Sequence, residues 1–275
     1  MGLSPDFTMY KVYMNNIVLT QHHANILEIA LNRPDAYNAL NLDLMQRLAE
    51  TLSFAATDPS VQGIIVTGKG KAFCAGGDLK WISGQKEDPR SVLYQLAPEF
   101  HRSIVQIRRM DKPVVAALNG IAAGGGFSLA LACDFRVMAE SAIMRQAYTS
   151  SGLSIDGGGS FALPRLVGLA RAMEIMAFDQ PIPAAQALEW GLVTQVVPVD
   201  QAVSAALDML QKLTRGSLHS FAWSKRLMVD SLDHDLETQL ELERKGISEC
   251  AAHPDGQEGI TAFVEKRKPA FQGLG

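Results

Sequence analysis

The chain has 275 residues, 47% hydrophobic and 20% charged, which gives ample material for a core and excludes the charge-rich, apolar-poor composition of a disordered chain. Its net charge is −4, so no basic excess is available to hold phosphate backbones or an anionic membrane surface, and neither nucleic acid nor membrane is expected as a partner. At roughly 150 residues per domain, the length falls between one large domain and two small ones.

In chain order, residues 26–31 alternate Leu27, Ile29 and Leu31 on one face and read as a strand that Asn32-Arg33-Pro34-Asp35 breaks. Leu44, Leu48, Leu52 and Ala55 recur at helical spacing behind an Asn41 cap, and Asp58-Pro59 stops that helix. Residues 61–67 form a β-branched run typical of a buried strand. The charged stretch 85–90 is a surface loop leading into a helix over 91–110. Another buried strand covers 113–118, a core helix 128–133, and a strand 135–139. This strand, helix, strand rhythm predicts an α/β fold with parallel strands crossed over by helices. From about residue 184 the strand signals thin to 194–197, and a mostly helical tail follows, with a long polar-rich helix over 236–252.

Six of the 23 glycines lie in two triplets, Gly124-Gly125-Gly126 and Gly157-Gly158-Gly159. Three familiar glycine motifs fail to account for them. Gly63 to Lys69 spaces like a phosphate loop, but its intervening residues are strand and residue 70 is Gly where Ser or Thr belongs. Gly68-x-Gly70 has Phe73 where a dinucleotide fingerprint needs its third glycine. Gly126-Phe127-Ser128-Leu129-Ala130 approaches a nucleophile elbow without the final glycine or a preceding oxyanion motif. A better reading joins Ala75-Gly76-Gly77-Asp78, after a strand, with the first triplet, before a helix. Both segments offer backbone N–H groups without partners, and two such groups converging on one oxygen make an oxyanion hole.

Several segments together resemble one family. They are Ala72-Phe73-Cys74-Ala75-Gly76-Gly77-Asp78-Leu79, then residues 112–120 running into Gly124-Gly125-Gly126, Ala130-Leu131-Ala132-Cys133-Asp134, Leu163-Pro164-Arg165-Leu166-Val167-Gly168, Trp190-Gly191-Leu192-Val193 and Phe263-Val264-Glu265-Lys266-Arg267-Lys268. In this order they are similar to the crotonase, or enoyl-CoA hydratase/isomerase, superfamily, over about residues 25–270. The resemblance implies a ββα spiral acyl-CoA-binding core over 1–200 and a helical region over 201–275 that makes oligomer contacts and part of the coenzyme A site. It further implies a homohexamer built as a dimer of trimers. Coenzyme A would be part of the substrate, with no separate cofactor. By this likeness the Gly77 and Gly125 N–H groups hold the thioester carbonyl, Ala75 lines the adenine pocket and Lys266 reaches coenzyme A phosphates. Asp78, Ser128, Tyr148 and Phe263 are set beside them as further residues of the acyl-CoA site.

The departures from the family pattern narrow the chemistry. Hydratases of the family carry one glutamate two places after the glycine triplet and a second in the following segment, where this chain has Ser128 and Tyr148. Neither is a carboxylate, and a tyrosine ionises only near pH 10. Asp156, eight residues after Tyr148, stands where similar isomerases, dienoyl-CoA isomerases and aryl-CoA dehalogenases carry a catalytic aspartate. The expectation is therefore a double-bond isomerase with Asp156 as acid and base, buried among Leu153, Ile155 and Phe161 and held against the second glycine triplet. Hydration of an unusual enoyl-CoA and a non-catalytic acyl-CoA-binding relative are the alternatives. Dehalogenation would need a base beside the aspartate, for which the sequence offers His101 alone. The three cysteines, Cys74, Cys133 and Cys250, show no metal-ligand spacing and cannot all pair. Residues 1–10 carry no basic start followed by an apolar run, so a cytoplasmic location without metal is expected.

Overall fold

A computed structural model describes residues 16–271; the reading of residues 1–10 lies outside them. The first strands, β1 (Val18–His23) and β2 (Ile26–Leu31), form an antiparallel hairpin. Helix α1 (Leu42–Thr57) follows, and its first turn is capped as expected, the Asn41 side chain accepting the Leu44 N–H at 3.1 Å. The chain then advances in turns of two strands and a helical crossover. The first holds β3 (Gly63–Gly68), β4 (Ala72–Cys74), the short α2 (Leu79–Ser83) and α3 (Pro89–Arg109). The second holds β5 (Val114–Leu118), β6 (Ile121–Ala123) and α4 (Gly125–Ala132), and the third β7 (Phe135–Ala139), β8 (Ile143–Arg145) and α5 (Gly159–Phe178). After β9 (Ile182–Pro183), α6 (Ala184–Glu189) and β10 (Gln195–Val197) come four helices: α7 (Ala202–Leu213), α8 (Leu218–Asp230), α9 (Leu236–Ala252) and α10 (Pro254–Val264).

Alternate strands enter different sheets. One is six-stranded in the order β1-β2-β3-β5-β7-β10, parallel apart from β1, and the other four-stranded in the order β4-β6-β8-β9, parallel apart from β9. Repeating the two-strand turn gives the ββα spiral. The second sheet has strands of two or three residues, too short to show an alternation, and the sequence reading contains none of them. The corner from β3 into β4 is tied by side-chain amides. Buried Asn38 donates to Lys69 O and Ala72 O at 3.0 and 2.8 Å, and Asn119 accepts the Gly68 N–H at 3.2 Å.

Strands β2, β3, β5 and β7 are buried on both faces, which explains their largely apolar runs. Ile64, Val66, Val114, Ala116 and Leu118 face the main core under α1, α3 and α4, whereas Ile65, Val115, Ala117 and Val137 face a second cluster closed by Ala202, Ala206 and Leu210 of α7. Helix α7 supplies the cover for that face of the sheet. Helix α8 is also anchored to the core: buried Lys225 Nζ donates to Ile107 O at 2.9 Å and to Asp134 Oδ2 at 2.8 Å. Helix α9 packs on α8 and α10 on α9, leaving Leu236, Leu240, Ile247, Ile260, Phe263 and Val264 exposed on the single chain. No helix among the described residues is long and apolar enough to cross a membrane.

Candidate active site

A cavity of about 330 Å³ opens between the β4–α2 corner, α3, the start of α4 and the segment 147–156. Helix α3 presents Leu93, Leu96, Ala97 and Phe100 to it, one apolar stripe at helical spacing. Among the residues that line it, Asp156 is the only carboxylate, and no Lys, Arg, His or Cys is present.

One end of the cavity is backbone. Leu40 pairs with Gly77 as an isolated parallel bridge, in which the Leu40 N–H donates to Gly76 O at 2.7 Å and the Asp78 N–H to Leu40 O at 3.0 Å. Because these bonds use the residues on either side, the N–H of Gly77 itself points the other way. Gly125 is the first residue of α4, where an N–H has no intrahelical acceptor and lies at the positive end of the helix dipole. Neither N–H donates to another group among the described residues. The two segments touch: a Cβ on Gly76 would stand 3.1 Å from the Gly125 nitrogen and 2.9 Å from Ala123 O. Gly76 and Gly124 have φ of +97° and +52°, conformations in which a side chain is strained, so glycine is needed for both the angle and the approach.

Asp156 lines the same cavity from a loop before α5. Its backbone carbonyl accepts from Ser128 Oγ at 2.6 Å and lies 3.2 Å from Tyr148 OH, and the two hydroxyls are 3.1 Å apart. The two residues at the expected glutamate positions therefore hold the main chain that presents the aspartate. Ser128 is 1% exposed and does not line the cavity, whereas Tyr148 does. Desolvation pushes the Tyr148 phenol above its ordinary value, so it stays a neutral hydrogen-bond donor. The Asp156 side chain, expected to be buried, is 43% exposed, and its Oδ1 lies 2.6 Å from Nε2 of His101, 55 residues earlier on α3. His101 follows Ala97 by one helical turn, the only signal in the sequence that places it near the cavity face.

Ser128→Ala removes one buried donor and should cost about 1 kcal/mol of stability, with a several-fold fall in turnover, read by thermal denaturation and steady-state kinetics. Complete loss would instead indicate a serine nucleophile.

The remaining expected residues divide. Ala75 lines the cavity beside the glycines. Asp78 caps α2, accepting the Trp81 N–H at 3.0 Å, and pairs with Arg33 at 2.9 Å. Its burial raises the carboxyl pKa, but those two partners outweigh it and hold the group below its usual range. Phe263 lines a second, more open cavity between α8, α9 and α10, and Lys266 follows α10; neither lines the first cavity. Burial pushes the thiols of Cys74 and Cys133 up to about 12, which keeps them out of nucleophilic chemistry at neutral pH. Among the described residues, no three His, Cys, Asp or Glu side chains cluster in a way that could hold a metal ion.

A family model described as enoyl-CoA hydratase/isomerase matches residues 21–274. The chain is 33% identical to a 1,2-epoxyphenylacetyl-CoA isomerase of Escherichia coli, over 94% of this chain and all of that one. It is 34% identical to a 2,3-dehydroadipyl-CoA hydratase of the same organism, again over 94% and 100%. Among solved structures, an enoyl-CoA hydratase from Polaromonas sp. JS666 superposes with a TM-score of 0.88 at 36% identity, covering 94% of this chain and 99% of that one.

Proposed function

The chain belongs to the enoyl-CoA hydratase/isomerase family, and on that premise we propose that it moves a carbon–carbon double bond in an acyl-CoA thioester by proton transfer through an enolate. The reading rests on one observation: among the described residues, Asp156 is the only carboxylate lining the cavity that Gly77 and Gly125 also line. In this reaction the thioester oxygen sits between those two N–H groups. Asp156 removes a proton from the carbon α or γ to the carbonyl, negative charge develops on the oxygen, and the same carboxylic acid returns a proton to the other carbon. Each oxyanion donor is worth about 2.7–4 kcal/mol in the transition state. Hydration by a carboxylate pair needs a second acid, and the residues at that family's glutamate positions are Ser128 and Tyr148, which here bind the Asp156 carbonyl.

The names of the relatives keep hydration as the alternative, and the contact between His101 and Asp156 favours a further reading in which the aspartate displaces halide from the ring of a haloaroyl-CoA and the histidine then takes a proton from the water that hydrolyses the aryl ester, freeing the phenol and the aspartate. As part of the same proposal, coenzyme A enters only as part of the substrate. The protein works in the cytoplasm as a homohexamer, and Phe263 and Lys266 serve coenzyme A at a subunit contact. The exposed apolar residues of α9 and α10 support that assembly.

Incubation with 3-hexenoyl-CoA, crotonyl-CoA and 4-chlorobenzoyl-CoA, followed by mass spectrometry, distinguishes these chemistries. The proposal expects a new isomer of unchanged mass from 3-hexenoyl-CoA. A product heavier by one water supports hydration, chloride release supports substitution, and binding of every thioester without turnover supports a non-catalytic relative.

A further inference from the structure

The Asp156 backbone and side chain are held by different means. Its carbonyl oxygen accepts from Ser128 Oγ and from the Gly159 N–H at 3.1 Å, with Tyr148 OH at 3.2 Å, and a Cβ on the adjoining Gly157 would collide with Phe100 Cε1 at 2.2 Å. These contacts fix the main chain, but none sets the side-chain torsion. The carboxylate has one partner among the described residues, His101 at Oδ1, while Oδ2 has none. Phe100 and His101 are neighbours on α3, so the helix that packs under the loop also reaches its carboxylate.

An ionised carboxylate only accepts hydrogen bonds, so at 2.6 Å the His101 Nε2 carries the proton and donates it. That contact takes up one oxygen and leaves the other for a substrate proton. We propose that His101 is a positioning residue for this site: its Nε2–H locks the rotamer of Asp156 and turns Oδ2 toward the carbon that loses its proton. The His101 ring is 48% exposed, and a contact between two half-exposed groups contributes little to stability. Its effect is therefore on rate, since misplacing a reacting group by about 1 Å costs on the order of 10²-fold.

This inference rests on Asp156 being the acid and base, and the experiment separates the two. His101→Phe keeps a ring and removes the donor, and His101→Gln keeps an N–H within reach of Oδ1. With 3-hexenoyl-CoA, His101→Phe should lose on the order of 10²-fold in kcat with KM little changed, and His101→Gln should recover to within about tenfold of the native enzyme. Should the Phe variant melt early, His101→Ala gives the same comparison. Wild-type kcat in the variants without a donor overturns the proposal, as does a Gln variant as slow as Phe, or a loss confined to KM. Asp156→Asn, assayed alongside, tells the failures apart. If Asp156→Asn is inactive while His101→Phe is fully active, only the role of His101 falls; if Asp156→Asn is active, the acid–base assignment itself falls.

Discussion

Asp156→Asn should reduce isomerisation of an unsaturated acyl-CoA by about 10³–10⁴-fold, close to the full contribution of a positioned acid and base. The substitution preserves shape. Asn keeps an oxygen to accept from His101 Nε2, and the Ser128 hydroxyl still holds the backbone carbonyl of residue 156. What it removes is the ability to take a proton. The side chain is 43% exposed, so no buried charge is created or lost and the melting temperature should hold. Coenzyme A binding, read by calorimetry, should also hold, because the cavity and the two proposed oxyanion donors are untouched. Loss of rate with retained binding and stability is the pattern expected of an interaction made only in the transition state.

The second large effect is expected from Gly76→Ala, which adds a single methyl group behind the proposed oxyanion hole. Its Cβ would lie 2.9 Å from Ala123 O, 3.1 Å from the Gly125 nitrogen and 3.2 Å from Gly124 Cα. All three are backbone atoms that cannot rotate away, so the β4–α2 corner and the start of α4 must part. The Gly77 and Gly125 N–H groups would then no longer converge on one oxygen, and turnover should fall by about 10²–10³-fold. Gly191→Ala is the control: Gly191 has φ of +73° but nothing within 4 Å of its added Cβ. It therefore carries the backbone strain without the collision, and should lose some stability while keeping turnover. Steady-state kinetics on both variants separates the two effects.

The segments legible in the sequence share a physical character. The central strands β2, β3, β5 and β7 are largely apolar because they are buried on both faces, and residues 26–31 and 135–139 have the bounds read from pattern alone. Helix α9 likewise spans Leu236–Ala252, the polar-rich segment read as a helix. The second sheet was illegible because its strands are two or three residues long and are defined by their partners. Helix α5 was hidden for another reason: Gly168, at φ +76° and ψ 158°, and Pro164 interrupt the pattern, and the segment is two helical pieces that meet at a kink.

Site legibility divides along similar lines. The glycine segments stand out by their clustering, whereas Asp156 is singled out by the family resemblance and the absence of the two glutamates, since its spacing alone reads as a cap or turn. The expected burial of Asp156 among Leu153, Ile155 and Phe161 differs from the structure, where its side chain is half-exposed and Phe161 is exposed. The contact with His101 depends on α3 crossing under that loop, 55 residues away in sequence, and local periodicity carries no record of such a crossing. Ser128 was read for its hydroxyl at the substrate, yet its bond goes to a carbonyl that no side-chain pattern can announce.

Deuterium exchange bears most directly on the claim that Asp156 moves a proton between substrate carbons. Incubated in D₂O with 3-hexenoyl-CoA, the wild-type protein should place deuterium at the α or γ carbon as the double bond moves, seen as a mass increase in the acyl fragment. Asp156→Asn, folded and still binding coenzyme A, should leave both carbons unlabelled. Equal labelling by the two proteins would contradict the assignment of Asp156 as the acid and base.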